Sequence, residues 1–168
     1  MQLTLHADYS LRVLLYLAGR PGRAASTQEI SAAYGISKNH LVRVVQTLNR
    51  HGFVTAKPGR TGGVVLERDP AAIRIGDVVR KTEPNFHVVE CFDQNANTCR
   101  IVRGCSLRPV LHQAMDAFFA ELDRYTLADV IAQGGRELAN LLVGIEPAPA
   151  TKPQRSDGGR SARRAGAV

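Results

Sequence analysis

The residues of this chain whose types and spacing lend themselves to chemistry are three cysteines, Cys91, Cys99 and Cys105, and the sequence has no others. Seven residues separate the first two and five separate the second two, and Asp93, Asn95, Asn97, Thr98 and Gly104 among them favour turns over regular elements. The segment reads as a loop that carries thiols. A cysteine without chemistry is usually a buried small hydrophobe, whereas these sit among polar turn residues. Their clustering therefore favours ligation of a soft metal centre over idle thiols. A structural zinc site takes four Cys or His ligands, often in close pairs, and His87 is one histidine within reach along the chain. An iron–sulfur cluster tolerates wider spacing but also takes four ligands. In either case the three cysteines need a fourth donor from elsewhere.

Composition bounds the rest. At 168 residues the chain holds one core of ordinary size, or a small domain with an appendage. Residues 1–7 carry no basic segment leading into an apolar run, and no stretch approaches eighteen continuous apolar residues, so neither secretion nor membrane spanning is expected. Clustered, unpaired thiols suit a reducing cytoplasm. No nucleophile–base pair, phosphate loop or carboxylate dyad stands out, so an enzyme is the least expected class. The net charge of +7 is uneven: residues 37–68 carry six Lys or Arg against Glu67 alone, and residues 147–168 carry five against Asp157. Two basic segments on a faintly acidic body suggest a polyanionic partner.

The elements that must position these groups follow in order. Leu11, Leu14, Leu15 and Ala18 give one face of a first helix, on which Asp8 and Arg12 lie four residues apart. Ser26-Thr27-Gln28-Glu29 is a capping-box pattern opening a second helix that runs through Ala33. Gly35 turns the chain, and Ser37 caps a third helix with Leu41, Val44, Val45 and Leu48 on one face and Gly52 beyond its end. Two short helices joined by a glycine turn make a helix-turn-helix. Residues 53–57 and 64–67 then read as strands around a glycine-rich tip, the wing of such a module. In this arrangement Ser37, Lys38, Asn39 and His40 approach base edges and phosphates in the major groove. Arg43 and Arg50 contact phosphate, Lys57 and Arg60 project from the hairpin toward DNA, and Arg60 at the wing tip suits the narrow minor groove. The fold class expected is mainly α with a small β-hairpin: a winged helix-turn-helix domain plus a long C-terminal dimerisation helix.

A short helix over residues 73–81 bridges the wing to the cysteine loop. Leu107, Leu111, Ala114, Phe118, Leu122 and Tyr125 recur at helical spacing beyond it and form a stripe suited to pairing with a second copy. Thr126 caps a further short helix through Ile131, and Gly134-Gly135 precede another apolar segment ending near Ile145. The tail from residue 147 is too poor in large apolar residues to offset its ordering entropy. The division expected is 1–82 for DNA binding, 83–106 for the cysteine loop, 107–146 for dimerisation and 147–168 for a disordered basic tail.

This combination resembles the Rrf family of winged-helix iron–sulfur regulators over residues 1 to about 145, and within it the nitric-oxide-responsive repressors. The resemblance rests on Met1-Gln2-Leu3-Thr4 with Asp8-Tyr9-Ser10-Leu11-Arg12, on Tyr34-Gly35-Ile36-Ser37-Lys38-Asn39-His40-Leu41, on Gly59-Arg60-Thr61-Gly62-Gly63, and on Val89-Glu90-Cys91-Phe92-Asp93 with Cys99 and Cys105. It implies a homodimeric repressor that binds operator DNA and senses nitric oxide through an iron–sulfur cluster, 4Fe–4S in preference to 2Fe–2S. The cluster ligands implied are Cys91, Cys99 and Cys105. In some relatives an aspartate of the partner's first helix completes the site; Asp8 matches it, with Arg12 one turn later to hold its carboxylate. The gap between the first two cysteines is longer than in several relatives. Family members that regulate cluster assembly use a 2Fe–2S centre with a histidine ligand, for which His112 is the nearest histidine after Cys105. The alternatives are therefore a cluster-biogenesis or redox regulator of the same fold and a zinc-stabilised DNA-binding module.

Overall fold

The structure, a computed structural model, describes residues 2–57 and 62–144. Arg60, Ile145 and the basic tail lie outside them. Helices α1 (Leu5–Ala18), α2 (Thr27–Tyr34) and α3 (Lys38–Arg50) lead into an antiparallel hairpin of β1 (Val54–Lys57) and β2 (Gly63–Leu66). Helix α4 (Ile75–Thr82), the cysteine loop, α5 (Leu107–Leu122) and α6 (Leu127–Gly144) complete the chain. Among the described residues no helix is long and apolar enough to cross a membrane.

Helix α1 is central because it is apolar on more than one side. It buries Val13, Leu14, Tyr16 and Leu17 and half-buries the expected face of Leu11, Leu15 and Ala18, so that α3, α4 and α6 all pack on it. Its start is anchored: the Thr4 hydroxyl accepts the Ala7 amide at 3.2 Å, and the Thr4 amide donates to Glu83 Oε1 at 2.6 Å. The first turn of α1, which carries Asp8, is thereby tied to the residue that follows α4.

The helix-turn-helix forms largely as its caps dictate. Gly35 takes φ 65°, which few other residues adopt readily, and swings the chain from α2 into α3. The capping box is half made. Ser26 Oγ accepts the Glu29 amide at 3.0 Å, but the Glu29 carboxylate turns inward to accept the buried Tyr16 hydroxyl at 3.1 Å and Arg23 at 3.0 Å. A buried phenol requires an acceptor, and that requirement outweighs the local cap. Ser37 occupies the cap position of α3 without a side-chain cap hydrogen bond, correcting the expected cap. The hairpin pairs Val54 with Leu66 and Lys57 with Gly63. Ala25 adds a bridge to Val64, with N···O distances of 3.0 and 2.8 Å, which seats the wing against the start of α2.

Beyond the wing, α4 begins two residues later than expected. Residues 73–75 instead pair with the α5–α6 turn: the Leu127 amide donates to the Ile73 carbonyl at 2.8 Å and the Ile75 amide to the Tyr125 carbonyl at 3.0 Å. Thr126 does cap α6, exchanging hydrogen bonds with Asp129 in both directions. The two expected C-terminal segments, together α6, are two helical stretches separated at Gly135, whose φ of 56° and ψ of -152° are not helical. Leu127 is fully buried in the core that α1 and α3 share, so the C-terminal region returns to the winged domain.

A latch joins α4 to the end of α5. Arg80 donates twice to Asp123, at 2.7 and 2.6 Å, and lies 4.4 Å over the Phe119 ring, which meets Phe86 edge-on at 4.7 Å. A Cβ on Gly76 would meet the Asp123 carboxylate, so the latch in this geometry uses the space that glycine leaves. The Arg80 hydrogen bonds hold the Asp123 carboxyl below its usual pKa of 3.8. A carboxyl depressed in the folded state contributes stability that is complete above its unfolded pKa and lost as pH falls through the folded one. Melting temperature should therefore decline below about pH 4, and Asp123→Asn should shrink that acid slope while lowering the melting temperature at neutral pH. An unchanged slope would show the latch to be energetically idle.

Candidate functional site

The exposed face of α3, the candidate DNA-reading surface, is set by what the helix buries. Leu41, Val44 and Leu48 face the core, and steps of about 100° per residue place Asn39, Gln46 and Arg50 at the centre of the opposite face, with Arg43 and Val42 beside them. All five are exposed, as are Ser37 and Lys38 at the amino end and Lys57 at the end of β1. Gln46 was not among the expected contacts. Its signal was the spacing of seven from Asn39, two turns along the same face. His40, though exposed, sits at the flank: its ring lies 6.2 Å from that of Tyr9, and with Leu5, His6 and Arg43 it lines a recess of about 240 Å³ between α1 and α3. Arg60 cannot be placed on this surface because it lies outside the described residues.

Asn and Gln read adenine bidentately, whereas Arg on phosphate positions without specifying. Gln46→Ala should cost about 1–3 kcal/mol on the operator and little on random DNA, while Arg50→Ala should weaken both alike and reduce the salt slope by about one. Fluorescence anisotropy on both DNAs at several salt concentrations checks this. Parallel behaviour of the two variants would remove Gln46 from base reading.

The cysteine loop is folded largely by its own side chains. Glu90 Oε1 accepts from the Thr98 amide and, at 2.6 Å, from the Thr98 hydroxyl. Asp93 Oδ1 accepts the amides of Asn95 and Ala96 at 2.9 and 3.3 Å, and Asn97 Oδ1 accepts the Cys99 amide at 3.0 Å. The Thr98 donors hold the Glu90 carboxyl below its usual pKa. Phe92 stacks on His112 of α5, ring centroids 4.0 Å apart and planes 5° from parallel, and His87 Nδ1 is 3.6 Å from Asp93 Oδ2. The Phe92–His112 stack docks the loop on the flank of α5.

Cys91, Cys99 and Cys105 are all unpaired and half-buried. The single chain does not gather them: among the described residues no three His, Cys, Asp or Glu side chains converge on a possible metal position. Their surroundings nevertheless fit an anionic soft-ligand centre. Arg100 and Arg103 are exposed beside Cys99 and Cys105, and residues 94–115 include no Asp or Glu. Asp8 is held on α1 by Arg12 through two contacts, Nε to Oδ1 at 3.0 Å and Nη2 to Oδ2 at 2.8 Å. That pair raises the Arg12 pKa further above its usual value. The expected Asp8–Arg12 contact is thus formed in the chain by itself.

The family profile described as Rrf2, iron-dependent transcriptional regulator, matches residues 3–133. The chain belongs to the Rrf2 family. Over 132 residues it is 50% identical to the HTH-type transcriptional regulator NsrR of Bacillus subtilis (strain 168), a match covering 78% of this chain and 90% of NsrR. Its fold matches the structure of CymR, the global cysteine regulator of B. subtilis, at a TM-score of 0.64 and 26% identity, covering 79% of this chain and 98% of CymR. IscR of T. potens matches at a TM-score of 0.66 and 22% identity, covering 82% and 90% of the respective chains, a likeness of fold alone. As an Rrf2 member the chain is a DNA-binding transcriptional regulator, which agrees with the exposed face of α3 and the hairpin beside it.

Proposed function

We propose that this Rrf2 protein is a homodimeric repressor that releases operator DNA in response to nitric oxide. In this reading a 4Fe–4S cluster is held by Cys91, Cys99 and Cys105 of one chain and by Asp8 of the partner subunit. The observation that carries it is the set of three unpaired, half-buried thiols on one self-bonded loop, in a chain half identical to NsrR. When bound, such a cluster supplies iron with one corner held by a hard, weakly donating carboxylate and so open to a diatomic ligand.

The remaining work falls to the chain. Asn39 and Gln46 read bases, Lys38, Arg43, Arg50 and Lys57 neutralise phosphates, and Arg60 is assigned to the minor groove from its place in the sequence. Helix α5 supports the dimer: only Met115 is buried on it, while Leu107 and Val110 are 59% and 56% exposed. A two-fold dimer presents two α3 helices to palindromic half-sites. Asp8 lies in the turn of α1 that Thr4 and Glu83 anchor, and Tyr9 beside it meets His40 of α3. A change in what Asp8 contacts therefore acts close to the reading helix.

Anaerobically purified protein on operator DNA tests the whole reading. Stoichiometric nitric oxide should release the DNA, and a chain lacking all three cysteines should show no such response. Release from the cysteine-free chain would reject the assignment. A second reading rests on His112, which stacks on Phe92 next to Cys91: with His112 in place of Asp8, a 2Fe–2S centre and a redox or cluster-supply signal follow. Two irons per chain, with loss of the cluster in His112→Ala and not in Asp8→Ala, would select it.

A further inference from the structure

Glu90 immediately precedes Cys91, and Thr98 immediately precedes Cys99. The carboxylate of the first receives both the amide and the hydroxyl of the second. Within that closure Asp93 and Asn97 bind the backbone amides of Asn95, Ala96 and Cys99. The seven residues separating the first two cysteines are therefore a ring closed by side-chain-to-backbone bonds. We propose that Glu90 and Thr98 form a clasp that shapes residues 91–99 before a cluster arrives, Glu90 serving as a positioning residue and not as a ligand.

The physical case rests on what the clasp replaces. A chain that must bring two ligands together loses loop-closure entropy on binding, and order present beforehand removes part of that cost. Glu90 makes its bonds to Thr98 as an anion, and charge-assisted bonds are about twice as strong as neutral ones. Both donors converge on Glu90 Oε1, so its charge is already engaged in closing the loop. The clasp also accounts for the seven-residue gap, since turns at Asp93 and Asn97 take up its length and return Thr98 to Glu90. The inference rests on the cluster reading above for its purpose, though the clasp itself is a property of the metal-free chain.

The test uses full-length protein carrying Glu90→Ala, Thr98→Val or Thr98→Ser. In the metal-free state, amide hydrogen exchange at Thr98 and Cys99 should quicken several-fold in Glu90→Ala while amides of α1 and α4 hold. Unchanged exchange would overturn the clasp. On anaerobic loading with ferrous iron and sulfide, Glu90→Ala and Thr98→Val should lose about 10–100-fold in iron affinity. Thr98→Ser, which keeps both donors, should load like the wild type, and every loaded variant should share the wild-type visible spectrum. Wild-type loading by Glu90→Ala overturns the proposal, as does a changed spectrum in Glu90→Ala with Thr98→Val unaffected, which would make Glu90 a ligand. A wild-type chain that accepts no cluster overturns the cluster reading itself, and is told apart because the exchange result then stands alone.

Discussion

Replacing any one of Cys91, Cys99 or Cys105 with alanine should abolish the visible absorption of the anaerobically purified protein while leaving its fold intact. Both halves follow from where the thiols sit. A cluster with one protein ligand beyond the three thiolates has no spare donor, so each cysteine is required. The fold should survive because none of the three belongs to the core, which is built from residues such as Leu14, Tyr16, Leu41, Val44 and Leu127. Replacing a half-buried loop thiol leaves that core packing in place, so the melting temperature of the metal-free variants should stay close to that of the metal-free wild type. Iron and sulfide content, measured beside circular dichroism, checks both. A variant that retains full iron and sulfide would remove its cysteine from the site.

Mixed dimers should separate ligation across the dimer from ligation within a chain. With Asp8→Ala in one subunit and the three cysteines replaced in the other, one site keeps its thiolates and receives its carboxylate from the opposite chain. Such a heterodimer should hold about half the wild-type iron if ligation is in trans. It should hold no intact site if ligation is in cis. Asp8 is available to a partner at little cost. Its pairing with Arg12 is an exposed contact four residues along one helix, and such pairs are worth only about 0.3–0.5 kcal/mol. Asp8→Ala homodimers should assemble a cluster poorly, with altered spectra, on a folded metal-free protein. Unchanged cluster properties in that variant would exclude Asp8 and direct attention to His112.

Much of this was legible before any coordinates. The three cysteines and their spacing, the glycine at the α2–α3 turn, the basic third helix and the glycine-rich hairpin are all local statements. Each depends on residues a few positions apart, through turn preference or helical period. What only the tertiary structure decided depends on groups distant in sequence meeting. Glu29 forgoes its cap because Tyr16, thirteen residues earlier, brings a buried hydroxyl to it. His40, on the flank of α3, meets Tyr9 of α1, thirty-one residues earlier. Leu127 joins the winged-domain core because Ile73 supplies its amide with an acceptor. The ends of the first cysteine loop meet because Glu90 has Thr98 to accept from. Local pattern settles which residues form elements and which carry chemistry. Which face an element buries, and whom a polar side chain answers, are settled only when packing excludes water and each buried polar group must find a partner.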